Sequence, residues 1–287
     1  MRVMIDSNAP TRLSHVQFEA LCGKSASDGP LRALIIAAHP DDEVIGTGSR
    51  LRYFRDVRFL HVTDGSPRNL DDARACGLST RQAYARLRRT ELESVLALLG
   101  VTPERAECLG IVDQEATLHI AEVARAIADR VTRLAPTIIF THPYEGGHPD
   151  HDATALATHI ALKLLTREHR RVPTLLEFAS YHARGERFVP LGFLPADVEE
   201  IVLRLSRDDE AFKRKLVDCY RSQRNTLALF PVDIERFRPT PTYDFTRAPH
   251  DGTLYYERFD WGMTGERFRS LARDALARFD LQGVECV

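Results

Sequence analysis

The chain has 287 residues, of which 44% are hydrophobic and 28% charged, and its formal net charge is −2. This is an ordinary globular composition, and it gives no reason to expect a nucleic acid or an anionic membrane as partner. The five cysteines are scattered and form no CxxC pair, which argues against a disulfide scaffold and against cysteine ligands for zinc. Because the N-terminus lacks the apolar core of a signal peptide, we expect a cytoplasmic protein.

The first segment, residues 1–29, is weakly patterned apart from a short helix predicted over SHVQFEALC. We expect an N-terminal arm there, followed by a single domain over residues 30–287. Neither an internal repeat nor a linker interrupts that domain, and no window holds the roughly 18 apolar residues that a membrane span requires.

Five apolar segments follow the arm, and helical segments separate them. In chain order they are LRALIIAAHP, VRFLHVTDGS, RAECLGI, TIIFTHP and TLLEFASYHA. Continuous apolar runs of this length are typical of strands buried on both faces of a parallel sheet. The alternation of strand and helix therefore predicts an α/β fold, a mostly parallel sheet with helices on both faces.

The helices between these strands carry start and stop signals. The segment STRQAYARLRRTELESVLALLGV can be capped by Ser79 and ended by Gly100. A second helix, ATLHIAEVARAIADRVTRLAP, is closed by Pro136, and HDATALATHIALKLLTREH is a third. We place the core of the domain at about residues 32–185.

A C-terminal elaboration covers about residues 190–287. It contains a helix, SRDDEAFKRKLVDCYRSQ, with a capping pattern at Ser206 and Asp209, and a closing helix, TGERFRSLARDALARF. The segment between them is rich in proline, glycine and aromatics and predicts loops with short strands. Its aromatic side chains could stack on a sugar, although a small core is the interpretation we favour. They include Tyr243, Phe245, Tyr255, Tyr256 and Trp261.

Two of the predicted strands end in residues suited to chemistry. The first runs into His39-Pro40-Asp41-Asp42-Glu43, and the strand TIIFTHP ends in His142, a few residues before His148-Pro149-Asp150-His151. Three adjacent carboxylates repel one another unless a cation lies among them. In open α/β sheets ligands bind beyond the carboxyl ends of the strands, so we expect a divalent metal between these two loops.

The spacing indicates a ligand set. His39 and Asp42 lie three residues apart across a strand-to-helix turn, and His151 at the start of the next helix can complete a His-Asp-His triad. Three protein ligands with an open fourth position are typical of catalytic zinc. Asp41 need not bind the metal, and we expect it to act as the base for a water activated there.

His148 lies close to the same site. It could act as an imidazolium that stabilises an oxyanion or protonates a leaving group. Asp150 could pair with His148 and keep it protonated. His142 is ambiguous and could support the site without binding the metal. HPDD in isolation also suits a helix N-terminus, but its pairing with HPDH favours a shared metal site.

Several segments together resemble a known family. AAHPDDEVIGTG, VTDGSP, RRTEL, LGIVDQ and GHPDHDAT, within residues 32–182, resemble the PIG-L or LmbE-like zinc-dependent deacetylases. The resemblance implies a Rossmann-like α/β fold and removal of acetyl from N-acetylglucosamine units. It assigns His39, Asp42 and His151 as metal ligands, Asp41 as general base and His148 as the group that stabilises the intermediate.

The resemblance also implies weaker assignments. Asp150 stands beside the catalytic histidine, Arg88 resembles a substrate-binding arginine, and Asp113 a carboxylate that holds sugar hydroxyls. Some relatives carry a tyrosine five residues before the second metal histidine, where this chain has Gly146. Tyr144 lies two residues earlier, so the donor to the oxyanion is open.

We therefore expect a metal-dependent N-deacetylase that acts on a small amidosugar, with zinc or iron as the metal, since the ligand types do not separate the two. The oligomeric state is unreadable from the sequence. Two alternatives stay open. A non-haem iron oxygenase can use the same two-histidine, one-carboxylate set, and a non-catalytic sugar-binding protein can share the fold.

Overall fold

The computed structural model describes residues 21, 31–54 and 56–282 of the chain. The predicted N-terminal arm and its short helix lie outside the described residues, apart from Leu21. The single-domain division over residues 30–287 stays a prediction.

Nine strands are present in the described residues. They are β1 (Arg32–Ala37), β2 (Asp56–Thr63), β3 (Ala106–Ile111), β4 (Ile138–Thr141), β5 (Thr174–Phe178), β6 (Tyr181–Arg184), β7 (Arg187–Pro190), β8 (Ile201–Arg204) and β9 (Ile234–Pro239). Seven of them form one sheet in the order β3-β2-β1-β4-β5-β9-β8, and β6 and β7 form a separate hairpin. The five strands from β3 to β5 are parallel, while β9 and β8 are added antiparallel.

The α-helices of the described residues are α1 (Asp42–Gly46), α2 (Asp71–Ala75), α3 (Arg81–Leu99), α4 (Ile120–Leu134), α5 (Pro149–Arg167), α6 (Arg207–Val217), α7 (Arg224–Leu227) and α8 (Gly265–Ala277). Gly100 ends α3 in the left-handed conformation, as predicted, and Ser206 caps α6 through the N–H of Asp209. The cap of α3 is Thr80 rather than Ser79, because the Thr80 hydroxyl accepts the N–H of Ala83. The sequence could not distinguish the two, because Ser79 and Thr80 both carry a hydroxyl that can cap a helix.

Alternate residues of the central strands pack into two hydrophobic layers. Leu34 and Ile36 of β1 face the layer that contains α4, α5 and α8. Ala33 and Ile35 face the layer that contains α1, α3 and α6. Helices therefore cover both faces of the sheet, which explains why β1 is apolar at every position after Arg32. The predicted α/β fold, with a mostly parallel sheet and a C-terminal elaboration, is confirmed.

The C-terminal elaboration extends the sheet and contacts the helix that follows β1. It supplies β8 and β9, and α6 buries Lys213, whose Nζ donates to the carbonyl of Ile45 in α1. The same Nζ lies 3.3 Å from Oε1 of Glu235 on β9. The short helix that begins at Asp42 is thus held from the C-terminal side of the chain. None of the described helices has the length and apolarity needed to span a bilayer. The cytoplasmic location stays a prediction.

Candidate metal centre at the carboxyl ends of the central strands

The site forms where the strand order changes direction. β1 is followed in sequence by β2 on one side, while β4 pairs with β1 on the other, with Ile35 opposite Phe140. The loops after β1 and β4 therefore meet at the switch point of the sheet, where α/β proteins bind ligands. The first loop carries residues 39–43 and the second carries residues 142–151, which brings the two motifs together as predicted.

Asp42 lies at the centre of a group of imidazoles. Its Oδ2 is 3.2 Å from Nδ1 of His39 and 3.3 Å from Nε2 of His142, and its Oδ1 is 3.2 Å from Nε2 of His151. Burial alone would raise the pKa of this carboxyl, but His151 lowers it well below its usual value. Asp42 is therefore a carboxylate with nitrogen donors on several sides.

His39 bridges three carboxylates. Its Nε2 lies 3.0 Å from Oδ1 of Asp113 and 3.3 Å from Oδ2 of Asp150, and its Nδ1 faces Asp42. Burial would lower the pKa of His39, but the charge of Asp113 and hydrogen bonds to the three carboxylates raise it well above 6.5. The surrounding oxygens thus favour positive charge at this point.

The donor set suits a metal cation. Among the described residues, three overlapping groups have donor atoms within 4.8 Å of one another. They are His39, His148 and His151; Asp42, His142 and His151; and His39, Asp113, His148 and Asp150. Buried imidazole nitrogens and carboxylate oxygens in these numbers fit zinc or iron. The predicted ligands His39, Asp42 and His151 are adjacent but spread over these groups, so the exact set stays a prediction.

His142 supports the site through other contacts. Its Nε2 accepts the backbone N–H of Ala38 at 3.0 Å, and its Nδ1 lies 3.0 Å from the hydroxyl of Ser180. Burial, and then the charge of His151, lower the pKa of His142 to about 3, so the ring is neutral. The ring stacks on His151 with centroids 3.9 Å apart and thereby orients it. A lone pair already engaged with Ala38 makes His142 a weaker metal ligand than His39 or His151.

Asp41 has an unusual backbone conformation. Its φ is 130°, a value that residues with a side chain rarely adopt. One carboxylate oxygen, Oδ2, lies 3.0 Å from Nη2 of Arg88. Burial raises the pKa of Asp41 to about 8, with Arg88 opposing the shift and Asp42 adding to it. The side chain is thus a buried carboxyl paired with Arg88, and its role as the base stays a prediction.

Arg88 is the partner that holds this carboxyl. The guanidinium is buried and also donates to the carbonyls of Pro40 and Gly65. These contacts occupy it with groups of the protein itself, around the loop that contains Asp41. Its expected role in binding substrate stays a prediction, and the contacts add a role in fixing the first motif.

The expected pair between Asp150 and His148 is not formed through the carboxylate. Asp150 accepts the N–H groups of Gln114 and Ala116 and faces His39, whereas its own N–H donates to Nδ1 of His148 at 3.1 Å. Burial, and then His39 and His151, lower the pKa of His148 well below 6.5. His148 is therefore a neutral ring that caps α5 with Nδ1 and carries its proton on Nε2. The predicted pair that would keep His148 an imidazolium is therefore not formed, because Nδ1 already accepts the N–H of Asp150. The role of His148 toward the reaction intermediate stays a prediction.

Asp113, after β3, completes the wall of the site. Its Oδ1 also lies 3.9 Å from Nε2 of His148. Burial opposes ionisation, but His39 lowers the pKa of Asp113 below its usual value, so the group is a carboxylate. Its role toward sugar hydroxyls stays a prediction.

The structure explains the glycine at position 146. Gly146 has φ +70°, and a Cβ there would lie 2.7 Å from a methyl carbon of Leu254. Tyr144 does not substitute, because it is buried in the core and its hydroxyl donates to the carbonyl of Arg247. Tyr181, at the start of β6, instead places its ring 5.3 Å from that of His151. Burial, and then the charge of Asp42, raise the pKa of Tyr181 well above 10, so its phenol is neutral.

Aromatic residues of the C-terminal elaboration line the outer edge. Trp261 lies 4.7 Å from His148 between ring centroids, and Phe259 stacks on Trp261 at 4.5 Å and is 39% exposed. Tyr243, Phe245 and Tyr256 instead pack with the core. The interpretation of these aromatics as core therefore holds for Tyr243, Phe245 and Tyr256. Trp261 also packs against the core, but it lies next to His148 and, with Phe259 stacked on it, forms an outer aromatic wall.

The mostly parallel sheet, with buried histidines and carboxylates at its switch point, places the protein in the class of α/β proteins with a metal-type site at the carboxyl ends of the strands. Comparisons with known proteins then identify the family. The family model PIG-L, described as GlcNAc-PI de-N-acetylase, matches residues 34–162. A probable N-acetyl-α-D-glucosaminyl L-malate deacetylase 2 of Bacillus anthracis is 31% identical over 158 residues, which is 52% of this chain and 67% of that relative. The chain belongs to the PIG-L family.

Two further comparisons bear on the fold and on the extent of the match. A 1D-myo-inositol 2-acetamido-2-deoxy-α-D-glucopyranoside deacetylase of Mycobacterium sp. (strain KMS) is 28% identical over 204 residues, which is 63% of this chain. The chain matches 64% of the length of that relative. A deacetylase solved in complex with teicoplanin superposes with a TM-score of 0.56 at 18% identity, covering 74% of this chain and all of that one, which shows the shared fold.

Proposed function

We propose that the protein is a metal-dependent hydrolase that removes an N-acetyl group from a small N-acetylglucosamine-containing substrate. The observation that supports this most directly is Asp41, a buried carboxyl held by Arg88 beside a cluster of metal-type donors. The names of the relatives support the amidosugar class, since both are named as deacetylases of such compounds.

His39, Asp42 and His151 would hold the metal, as zinc or as iron. When bound, such an ion supplies Lewis acidity, which polarises an amide carbonyl and makes water a stronger acid. Asp41 takes the proton from the attacking water, and Arg88 keeps its carboxylate aimed at that position.

His148 contributes through its tautomer. Since Nδ1 accepts the N–H of Asp150, the proton on Nε2 points away from α5 and is available to the tetrahedral oxyanion. The C–N bond then breaks, and the departing amine receives its proton from Asp41 or from His148. Asp150 holds His39 and the loop at residues 114–116. Asp113 would accept hydrogen bonds from sugar hydroxyls, as the resemblance to the family implies.

The outer aromatic wall suggests how the remainder of the substrate is held. A ring attached to the amidosugar would extend past His148 onto Trp261 and Phe259. Because aromatic stacking contributes about 1 kcal/mol, we expect Trp261→Ala to raise KM about fivefold to tenfold for an aryl glycoside. KM for the corresponding methyl glycoside should stay unchanged, and an equal change in both would remove this role from Trp261.

The activity is tested by acetyl loss. Zinc-loaded protein is incubated with N-acetylglucosamine joined to inositol, to malate and to an aryl group, and each product is examined by mass spectrometry. We expect loss of one acetyl group from at least one compound, and none from metal-free protein. Undiminished turnover in anaerobic buffer would decide against an oxygenase. Metal-loaded protein that leaves every compound intact would favour a sugar-binding protein.

A further inference from the structure

Glu43 is the one acidic residue of the first motif that the mechanism leaves without a role. It is fully buried, and it belongs to α1, immediately after Asp42. Its Oε2 accepts the backbone N–H of Asp41 at 2.9 Å and lies 3.1 Å from Nε2 of His61. Its Oε1 accepts the hydroxyl of Tyr220. The carboxylate thus has partners on both oxygens, and one of them is the backbone of the base.

The bond to Asp41 acts where the chain is most unusual. The N–H of Asp41 is on the nitrogen about whose bond to Cα the chain adopts φ 130°. Residues with a side chain are more stable at negative φ, so something must hold Asp41 in this conformation. A hydrogen bond from this N–H to a buried carboxylate is charge-assisted and has little competition from water. It therefore opposes relaxation of the backbone that would carry the Asp41 side chain away from Arg88.

Tyr220 reaches this point from the C-terminal elaboration. It follows α6, is 1% exposed and is separated from Glu43 by 177 residues. On the opposite side of Glu43, His61 of β2 is buried as well. The motif is thus fixed between the central sheet and the C-terminal half.

We propose that Glu43, held by Tyr220 and His61, is a positioning residue that fixes the backbone of Asp41 in the conformation the base requires. The proposal rests on the proposed function, because Asp41 is a base only if that function holds. Tyr220 is then also a positioning residue, because it holds Glu43 and does not reach the reacting atoms.

The test compares hydrogen-bond removals of the same kind. Tyr220→Phe deletes only the hydroxyl that Glu43 accepts, and Glu43→Gln replaces one carboxylate oxygen by an amide. Tyr243→Phe is the matched control, because its hydroxyl donates to the carboxylate of Glu177, in a separate cluster. We expect kcat to fall about tenfold in Tyr220→Phe and further in Glu43→Gln, with KM and bound metal unchanged. Tyr243→Phe should shift Tm by a similar amount and leave kcat at the wild-type value.

A structural measurement separates this proposal from the proposed function. In crystals of metal-loaded Glu43→Gln or Tyr220→Phe, we expect the φ of Asp41 to leave the positive range or its side chain to leave Arg88. Full kcat in both variants, or an Asp41 in place in both crystals, would overturn the proposal. If the wild-type protein deacetylates nothing, the proposed function fails, while the crystal comparison still decides whether Glu43 fixes Asp41. If Glu43→Gln does not fold, Tyr220→Phe decides alone.

Discussion

Two buried polar clusters lie on the same sheet and differ in how their charges are balanced. The motif cluster, at the ends of β1 and β4, consists of His39, Asp42, Asp113, Asp150 and His151. The arginine cluster, at β5 and β9, consists of Arg238, Glu145, Glu177 and Tyr243.

In the arginine cluster a fixed cation meets its partners directly. Arg238 Nε lies 2.7 Å from Glu177, Nη2 lies 3.2 Å from Glu145, and Nη1 donates to the carbonyl of Leu194. In the motif cluster three carboxylates converge on imidazoles, whose charge depends on protonation. A buried cluster completed by arginine is therefore structural, while one that relies on histidines has room for an exchangeable cation.

The largest effect is expected at the base next to the motif cluster. Asp41→Asn keeps the shape of the side chain but removes its ability to accept a proton. We expect kcat to fall by about 10²–10⁴, the usual contribution of a general base, while bound metal is retained. Acetate release and elemental analysis give the two readings. Asp71→Asn, an exposed aspartate, is the control, and a near-normal kcat in Asp41→Asn would refute the assignment.

The next effect is on stability and falls on the arginine cluster. Arg238→Met leaves Glu145 and Glu177 buried without their cation, which should lower the free energy of unfolding by about 3–5 kcal/mol. Arg236→Met on the same strand, whose ion pair with Glu200 is partly exposed, should change it by less than about 1 kcal/mol. Denaturant titration measures both. Equal losses in the two variants would show that the arginine cluster contributes no special stability.

A third change acts on the loop between the two clusters. Gly146→Ala meets a positive φ and the close contact with Leu254, so we expect a loss of roughly 2–4 kcal/mol in unfolding free energy. Gly77→Ala has a similar φ of +72° but nothing within 4 Å of its Cβ, and it should lose only about 1 kcal/mol. A Gly146→Ala protein as stable as Gly77→Ala would mean that Leu254 moves aside without cost.

The smallest effect concerns a buried histidine that belongs to neither cluster. His159 packs against Tyr243 and Phe245, and its ring nitrogens have no hydrogen-bond partner among the described residues. Burial lowers the pKa of His159 to about 3. Below pH 6.5 the unfolded chain binds a proton that the folded chain does not, so this group destabilises the fold as pH falls toward 3.

We therefore expect His159→Leu to reduce the acid sensitivity of the protein. The unfolding free energy of the variant minus that of the wild type should increase by roughly 2 kcal/mol when the pH is lowered from 7.5 to 5. Unfolding in urea at each pH measures this difference. His119→Leu, at an exposed histidine, should show no comparable change. Parallel pH profiles for His159→Leu and wild type would contradict the assignment of a neutral ring.

The elements that could be predicted from the sequence are those with local signals. Apolar runs identified the five parallel strands, and Gly100 and Ser206 identified helix ends, because each signal acts within a few residues. The proximity of His39 to Asp42 also follows from one strand-to-helix turn. The meeting of the two motifs required only the rule that parallel strands end at the same edge.

The parts that escaped prediction depend on contacts between distant residues. Tyr220 approaches Glu43 across 177 positions, and Tyr181 reaches His151 through the β6–β7 hairpin. The tautomer of His148 depends on which group of Asp150 faces it, a choice that the letters HPDH leave open. The burial of Arg88 could not be predicted either, because an arginine on a helix is ordinarily exposed.

The proposed function depends on one cation that is held jointly by the turn after β1 and by the start of α5. Anomalous scattering at the zinc edge, from a crystal grown with zinc, tests it most directly. We expect a single strong peak within about 2.0–2.2 Å of His39, Asp42 and His151. A map with no peak between these residues, or with zinc bound only elsewhere, would contradict it.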